Sequence, residues 1–294
     1  MKIKLLLITA ITLFCANQIF SQEDLLDELN AQVKEPPQQV QETFKSTRVI
    51  NSHSVERMKQ GQLDFRINHR FGQINDGAYN LWGLDNALVS WDFGYGITDW
   101  VMAGFRRSSQ NKMYDGSLKF SIIRQTTGSK TIPVSVSYYT NLGIFTLKQN
   151  EDNFPFKHRL SYVHQILVAR KFNEHISLQV MPIFVHRNLV NYDEDNNIYA
   201  VGVGGRYKFH RRVALTFEYF WCSQTASNSL YYNPLSVGVD IETGGHVFQL
   251  FLTNSRSMEE SSFISQTMGS WLDGGIYFGF NISRVFAVAT PKEK

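Results

Sequence analysis

The clearest pattern in this chain is an alternation of apolar and polar positions that begins near Gln62 and continues to Phe286. In the last such stretch, GGIYFGFNISRVF at 274–286, the even positions from 276 to 282 are large and apolar, and the odd positions between them are Tyr, Gly and Asn. Because successive side chains of a β-strand point to opposite faces, this stretch predicts a strand with one apolar face and one small or polar face.

Similar stretches recur along the chain, among them QLDFRINHRF, ALVSWDFGYG, IYAVGVGGRYKF and VALTFEYFW. Together they predict about twelve strands, most of them near the ~9 to 11 residues that a tilted membrane strand needs. Two stretches, RLSYVHQILVAR and HISLQVMPIFVHR, are apolar on both faces. The pattern predicts strands there but does not say which face points inward.

The connections between these strands alternate in length. Short turns are expected at 97–99, 126–130, around 173, 210–212 and 243–245. Long polar loops are expected at 72–85, 108–114, 142–157, 188–197, 223–233 and 254–273. Alternating tight turns and long loops are typical of an up-and-down barrel in an outer membrane, with the turns in the periplasm and the loops outside.

The apolar faces of the predicted strands carry almost no charge through their middles. A Lys or Arg at the midplane of a bilayer costs ~2 to 4 kcal/mol, so this absence favours lipid outside the sheet. We therefore predict an all-β fold, a transmembrane up-and-down antiparallel β-barrel of about 12 strands at 57–286, in the outer membrane. An even strand number places both termini in the periplasm, and the last strand should pair with the one that begins near Gln62.

The remaining segments have other compositions. Residues 1–21 combine Lys2 and Lys4 with an apolar core, which predicts a secretory signal peptide. Cys15 raises the alternative of lipid attachment, but Phe14 precedes it where a small residue is required. Residues 22–56 predict a flexible periplasmic lead-in or partial plug, and 287–294 a short periplasmic tail. Once 1–21 is removed, Cys222 is the only cysteine, so no intrachain disulfide is expected.

The polar face of the strands carries charges of both signs. The candidate lumen-lining residues are Asp64, Arg66, Asp92, Arg106, Lys119, Arg206, Lys208, Glu218 and Asp240. They can form a selectivity lining for a small polar solute or ion, or a network of opposite charges that fills a narrow lumen. In the second case Arg206 and Glu218, which lie in one predicted hairpin, are expected to pair with each other.

Signals for an enzyme are weak. The histidines lack the spacings of metal sites, and there is no GxSxG. The nearest arrangement for lipid hydrolysis is Asn51-Ser52-His53-Ser54, which precedes the first strand. Loss of Lys2 and Lys4 takes the formal charge from +3 to +1, which gives no reason to expect nucleic acid. We predict no enzyme, no cofactor and no metal; the alternatives are a lipid-modifying barrel enzyme and a soluble secreted lipid-binding barrel.

Several stretches also resemble a known family. TRVINSHSVERMKQGQLDFRINHRFG, WGLDNALVSWDFGYGITDW, YDGSLKFSIIRQ, GGHVFQLFLTNS and GGIYFGFNISRVF are similar to a family of outer-membrane β-barrel proteins of unknown function from Bacteroidota. The resemblance runs from about Thr43 to Phe286. It implies a membrane barrel and brings no substrate or catalytic residue with it.

The expected function is therefore that of a non-enzymatic outer-membrane barrel, either a narrow porin-like channel or an envelope scaffold. Its expected partners are outer-membrane lipid, an envelope protein, and the barrel-assembly machinery during biogenesis. The aromatic finish at Phe286 resembles the C-terminal signal by which that machinery selects its substrates, although eight residues follow it here.

Overall fold

A computed structural model describes residues 36–148, 154–223 and 230–289. Twelve strands form a closed antiparallel barrel, which confirms the predicted fold class. The strands are β1 (Gln62–Gln73), β2 (Leu88–Gly96), β3 (Val101–Ser108), β4 (Tyr114–Ile123), β5 (Ser135–Ile144), β6 (Leu160–Lys171), β7 (Ile176–Arg187), β8 (Asn197–His210), β9 (Val213–Cys222), β10 (Leu235–Glu242), β11 (His246–Thr253) and β12 (Tyr277–Ala287).

Closure of the barrel joins the last strand to the first. Ile282 of β12 lies opposite Ile67 of β1, and Phe286 lies opposite Leu63, so the predicted pairing is confirmed. The register of this ladder shifts between Tyr277 and Gly279. A closed sheet satisfies every strand's backbone groups within the sheet, which is what a bilayer core demands.

The two ends of the barrel differ in the length of the connections that they carry. We call the end with the connections 97–100, 172–175, 211–212 and 243–245 the turn end, and the opposite end the loop end. The loop end carries the short 3₁₀ helices Ile74–Asp76, Ala78–Gly83, Gln110–Lys112 and Phe156–Arg159, and the helix α1 (Glu260–Ser265).

One link between strands is longer than predicted. The turn expected at 126–130 forms, with Thr126 and Ile132 exchanging backbone hydrogen bonds of 3.0 and 3.2 Å, but it lies within a longer connection, 124–134, because β5 begins only at Ser135. Pro133 precedes that strand and has no N–H for a ladder hydrogen bond. Within this connection Thr126–Thr127 pairs antiparallel with Gln38–Gln39, and these four residues belong to a small unit of their own.

The apolar face of each clearly alternating strand points out of the barrel. In β2 the exposed side chains are Trp91, Phe93 and Tyr95, whereas Ser90 and Asp92 between them are buried. In β9 Leu215, Phe217 and Tyr219 are exposed in the same way. This sidedness suits a barrel with lipid outside and polar groups inside. Among the described residues, no helix has the length and apolar character needed to cross a membrane.

The two strands that are apolar on both faces are β6 and β7. Their inward side chains include Val163, Leu167, Met181 and Val185, all fully buried. These side chains belong to one buried apolar cluster with Phe263 and Ile264 of α1. The inner face of β6 and β7 is therefore apolar because it packs against chain that lies inside the barrel.

Candidate functional site

A hairpin from the N-terminal side of β1 occupies the lumen. We call residues 43–56 the lumen hairpin. Its arms are joined by the Ser54 N–H donating to the Thr47 carbonyl at 3.0 Å and the Val49 N–H donating to the Ser52 carbonyl at 2.9 Å. Ile50 and Asn51 form the tip. Because β1 begins at the turn end, the hairpin enters the barrel there. Residues 1–35, with the predicted signal peptide and most of the lead-in, lie outside the described residues.

The tip of the hairpin is held by Glu218 on β9. One carboxylate oxygen accepts hydrogen bonds from the backbone and side-chain N–H groups of Asn51, at 2.9 and 2.6 Å. The other accepts from the Ser52 N–H at 3.1 Å and the Ser52 hydroxyl at 2.9 Å. Arg70 on β1 donates to the Asn51 side-chain oxygen. A buried carboxylate with this many donors is well compensated for its loss of water.

The arms of the hairpin are held by three other wall residues. The Lys119 ammonium donates to the carbonyls of Thr47, Ser54 and Glu56 at 3.1, 2.9 and 2.7 Å. The Gln179 amide accepts from the Val55 N–H at 2.9 Å and donates to the His53 carbonyl at 2.8 Å. Gln249 donates to the Val49 carbonyl at 2.8 Å. The wall thus replaces the partners that these backbone groups would find in a sheet or in water.

Apolar contacts complete the fit of the hairpin. Phe44, Val49 and Val55 are buried in the cluster that contains the inward residues of β6 and β7. Glycine at 204 leaves room for Val49, since a Cβ there would lie 3.2 Å from the nearest Val49 methyl carbon. The small inward residues of β8, which the alternation had placed on the polar face, thus make space for the hairpin.

A loop from the opposite end fills the rest of the lumen. The connection 254–273 was expected to be an exposed polar loop, and this is wrong for much of it. Every residue of α1 is buried, and Phe263 packs edge-on against Phe220 with ring centroids 5.3 Å apart. We call 254–265 the inward loop. Its apolar residues match the apolar inner walls of β6, β7 and β9, which draws it into the barrel.

Charged residues from the hairpin, the loop and the wall meet in the interior. We call Arg48, Asp92, Arg106, Asp115 and Glu260 the central ion cluster. Arg48 of the hairpin lies 2.7 Å from Glu260 of the inward loop and 3.1 Å from Asp92 on β2. Arg106 on β3 lies 2.9 Å from Glu260 and 3.2 Å from Asp92. Such buried ions are tolerated only because each has partners of opposite charge.

The central ion cluster determines the charge states of Glu260 and of the adjacent His53. Burial alone would raise the pKa of Glu260, but Arg106 and Arg48 outweigh burial and lower it to about 2. His53 lies 3.5 Å from Glu260, yet burial and the nearby Arg48 lower its pKa well below the usual range. His53 is therefore neutral at pH 7, and its ring contacts the Tyr139 ring at a tilt of 31°, with centroids 3.9 Å apart. The ion pairs of Glu260 at neutral pH are those with the two arginines.

Of the nine residues proposed to line the lumen, all but one are buried inside the barrel: Asp64, Arg66, Asp92, Arg106, Lys119, Arg206, Glu218 and Asp240. Lys208 is only half-buried, near the turn end of β8. The expected pair between Arg206 and Glu218 is wrong. Arg206 lies opposite Thr216 in the ladder and pairs with Glu242 at 2.7 Å, while Glu218 binds the hairpin.

Little space remains in the lumen beside these groups. The cavity bounded by the hairpin and strands β1 to β5 has a volume of about 30 Å³, close to that of one water molecule. The side-chain amide of Asn141 and both carboxylate oxygens of Asp115 reach no hydrogen-bond partner among the described residues. Both residues line this cavity.

Arg48, Arg70, Asp115, Glu259 and Glu260 were missed by the sequence reasoning. Asp115 and Arg70 lie on strands but were not singled out, and the others lie outside the strands. The double-sided apolar character of β6 and β7 was the signal that could have found the inward loop. No group of three or more His, Cys, Asp or Glu side chains in the described parts of the chain could hold a metal ion. Cys222 is buried, and its thiol is not in a disulfide.

Comparison with solved structures finds a similar fold in the NanC porin. The NanC porin covers 76% of this chain and 98% of its own, with 7% identity and a TM-score of 0.50. The KdgM porin covers 76% of this chain and 99% of its own, with 8% identity and a TM-score of 0.46. LpxR from Salmonella typhimurium covers 76% of this chain and 100% of its own, with 11% identity and a TM-score of 0.38. At 7% identity, the likeness to the NanC porin concerns the fold alone.

Among curated proteins, no sequence matches this chain. A family model does match it, over residues 44–286, and thus covers the lumen hairpin from Phe44 onward as well as all twelve strands. The match begins at the buried base of the hairpin and ends at Phe286 on β12. The chain belongs to the family described as a membrane bound beta barrel domain, DUF5777.

Proposed function

We propose that this protein is a gated, porin-like channel of the outer membrane whose lumen is closed by the lumen hairpin and the inward loop. The observation that carries the proposal is that wall residues suited to line a polar pore, Lys119 and Glu218 above all, hold the hairpin. When the hairpin leaves, the same residues line the vacated lumen. Their charges of both signs suit small polar solutes and give no preference for one ion sign.

The orientation is part of the proposal. The turn end faces the periplasm and the loop end faces outward, as the short turns and long loops of outer-membrane barrels do. Both termini are then periplasmic, and the hairpin enters from that side. An envelope protein in the periplasm would reach the chain preceding residue 43 and pull on the hairpin. Origin in Bacteroidota, which the sequence resemblance implies, also belongs to this proposal.

We also propose that the protein is not an enzyme. The candidate triplet of the lipid-hydrolase alternative lies in the hairpin and is buried in the lumen, away from the lipid face. The Ser54 hydroxyl donates to the Ser46 carbonyl at 2.6 Å, and the His53 ring lies tilted against the Tyr139 ring. Neither group is arranged as a nucleophile with its base.

The test is single-channel recording in planar bilayers. We expect the chain from Gln22 to be silent, and a chain that begins at residue 59 to give steady conductance once heat-modifiable migration shows that it has assembled. A deletion variant that assembles and stays silent even when it also carries Glu260→Gln, which removes the ion pair between the inward loop and Arg106, would overturn the channel. That result would favour a second candidate, an envelope scaffold, which the close packing of Phe44, Val49 and Val55 inside the barrel also fits.

A further inference from the structure

A second cavity lies at the loop end, outside the closed lumen. It has a volume of about 270 Å³, near the lower end of small-molecule sites. Its walls come from the loop-end parts of β6 and β7, the connections that adjoin β4, β5 and β7, and the inward loop. We call it the loop-end pocket.

Two arginines supply the charge of this pocket among the described residues. His158, Arg159 and Arg187 line it, and among the described residues that line it there is no carboxylate. Arg187 is bound by Glu194 at 2.6 Å, which neutralises its charge, while its Nε is buried and reaches no hydrogen-bond partner in the described ranges. Glu194 stays ionised: burial alone would raise its pKa, but hydrogen bonds from Tyr231, Asn191 and Arg187 lower it.

Arg159 is the cation of the pocket that has no carboxylate partner among the described residues. Its Nη1 donates to the carbonyls of Phe145 and Leu147 at 3.3 and 3.1 Å, and within the described parts of the chain it forms no ion pair with a carboxylate. Those carbonyls orient the guanidinium without cancelling its charge. A half-buried guanidinium with its remaining donors unused is a binding group for one carboxylate.

The rest of the lining is apolar or weakly polar. Phe145, Phe154, Leu160 and Leu189 contribute apolar wall. The Arg159 guanidinium lies 4.8 Å over the Phe154 ring, and His158 meets the same ring edge-on at 5.8 Å. An inorganic anion makes no favourable contact with these apolar walls. An organic ligand that covers them removes apolar surface from water, and this strengthens its binding.

We propose that the loop-end pocket binds a small organic monoanion, a carboxylate carried on an apolar or sugar-sized body. Arg159 binds the carboxylate, and the Nε of Arg187 donates a further hydrogen bond to it. Phe145 and Phe154 contact the organic part of the ligand. One uncompensated cation matches one negative charge. The binding does not depend on the gating proposed above.

The floor of the pocket connects it to the interior. Ser261 and Ser262 of α1 line the pocket, and they follow Glu260 of the central ion cluster directly. Ser161 on β6 donates to the Ser261 hydroxyl at 3.2 Å. A ligand in the pocket is therefore held against the same helix whose Glu260 pairs with Arg48.

The test is calorimetric titration of the detergent-purified chain from Gln22, without any bilayer. The probes are glucuronate and benzoate, their neutral counterparts glucose and benzyl alcohol, and inorganic phosphate. We expect saturable binding of at least one carboxylate, at least tenfold tighter than its neutral counterpart and than phosphate. Binding of neither carboxylate, equal binding of the neutral probe, or equal binding of phosphate overturns the proposal.

Two variants locate the site by different means. Arg159→Gln removes the charge, and Leu189→Trp fills the pocket while keeping it; each should weaken binding at least tenfold in protein that shows normal heat-modifiable migration. Arg170→Gln is the matched control. Arg170 lies on β6, the strand that follows Arg159, but its side chain points outward beside Phe172. If the control loses as much binding as the two pocket variants, or if both pocket variants bind normally, the site is not in this pocket.

Discussion

Arg48 Nη1 lies 2.7 Å from Glu260 Oε1, and this contact joins a hairpin that enters at one end of the barrel to a loop that enters at the other. Both side chains are buried, and each has a further partner on the wall, Asp92 for Arg48 and Arg106 for Glu260. The two closing segments therefore hold each other in place through one pair of charges. Displacing either leaves an unpaired ion inside the barrel.

Glu260→Gln should release this closure. The change leaves Arg48 and Arg106 with one acidic partner fewer in a buried site, which we expect to lower the free energy of unfolding by about 3 to 5 kcal/mol. It should also produce channel openings in bilayers where the unaltered protein is silent. Asp273→Asn is the matched control, since Asp273 lies in the same connection but is exposed. Equal stability of the Glu260→Gln chain and the unaltered chain in urea titration would contradict the role given to this pair.

The stabilisation by Glu260 should depend on pH. Its pKa in the folded chain is lowered to about 2 from an ordinary value of 4.5 by Arg106 and Arg48, against the opposing effect of burial. A lowered pKa means that the stabilisation is fully present above pH 4.5 and is lost as the pH falls toward 2. The difference in unfolding free energy between the unaltered chain and Glu260→Gln should therefore shrink between about pH 5 and pH 3. If the difference in unfolding free energy stays constant over this range, the ion pairs of Glu260 are not its cause.

Glu218→Gln should loosen the tip of the hairpin. Both oxygens of Glu218 accept hydrogen bonds from Asn51 and Ser52, and a glutamine would turn an N–H group toward two of those donors. We expect a loss of about 1 to 3 kcal/mol and faster hydrogen exchange in residues 47–54, read by mass spectrometry of peptides from that segment. Glu174→Gln, in the exposed connection between β6 and β7, should leave that exchange unchanged. Unchanged protection in Glu218→Gln would mean that the apolar contacts alone hold the tip.

The wall of the barrel was predictable from sequence because its determinants are local. Trp91, Phe93 and Tyr95 alternate with Ser90 and Asp92 wherever the strand sits, and alternation with tight turns is enough to specify strands, sidedness and closure. The connection around 126–130 is longer than predicted since its length depends on where β5 starts, and Pro133 moves that start to Ser135. A propensity for turn formation does not fix the length of a connection.

The contents of the lumen were not predictable in the same way. A polar inner face such as that of Glu218 and Lys119 has the same sequence whether water or a hairpin covers it. Glu259 and Glu260 look like a solvated loop, and only the barrel's apolar inner surface at Val163, Leu167 and Met181 draws them inside. The pairing of Arg206 with Glu242 instead of Glu218 has the same cause, because Glu218 is already bound by the hairpin.

A reversible lock gives the sharpest test of whether the hairpin must move. Since a Cβ at 204 would lie 3.2 Å from a Val49 methyl carbon, Val49→Cys with Gly204→Cys should form a disulfide between hairpin and wall. In a chain from Gln22 that also carries Cys222→Ser and Glu260→Gln, we expect openings under reducing conditions, silence after oxidation, and openings again after reduction. With Val49→Cys alone in the same background, channel opening should not change between reducing and oxidising conditions. If the oxidised double-cysteine chain conducts as the reduced one does, solute passes while the hairpin stays in the lumen, and gating by its displacement is wrong.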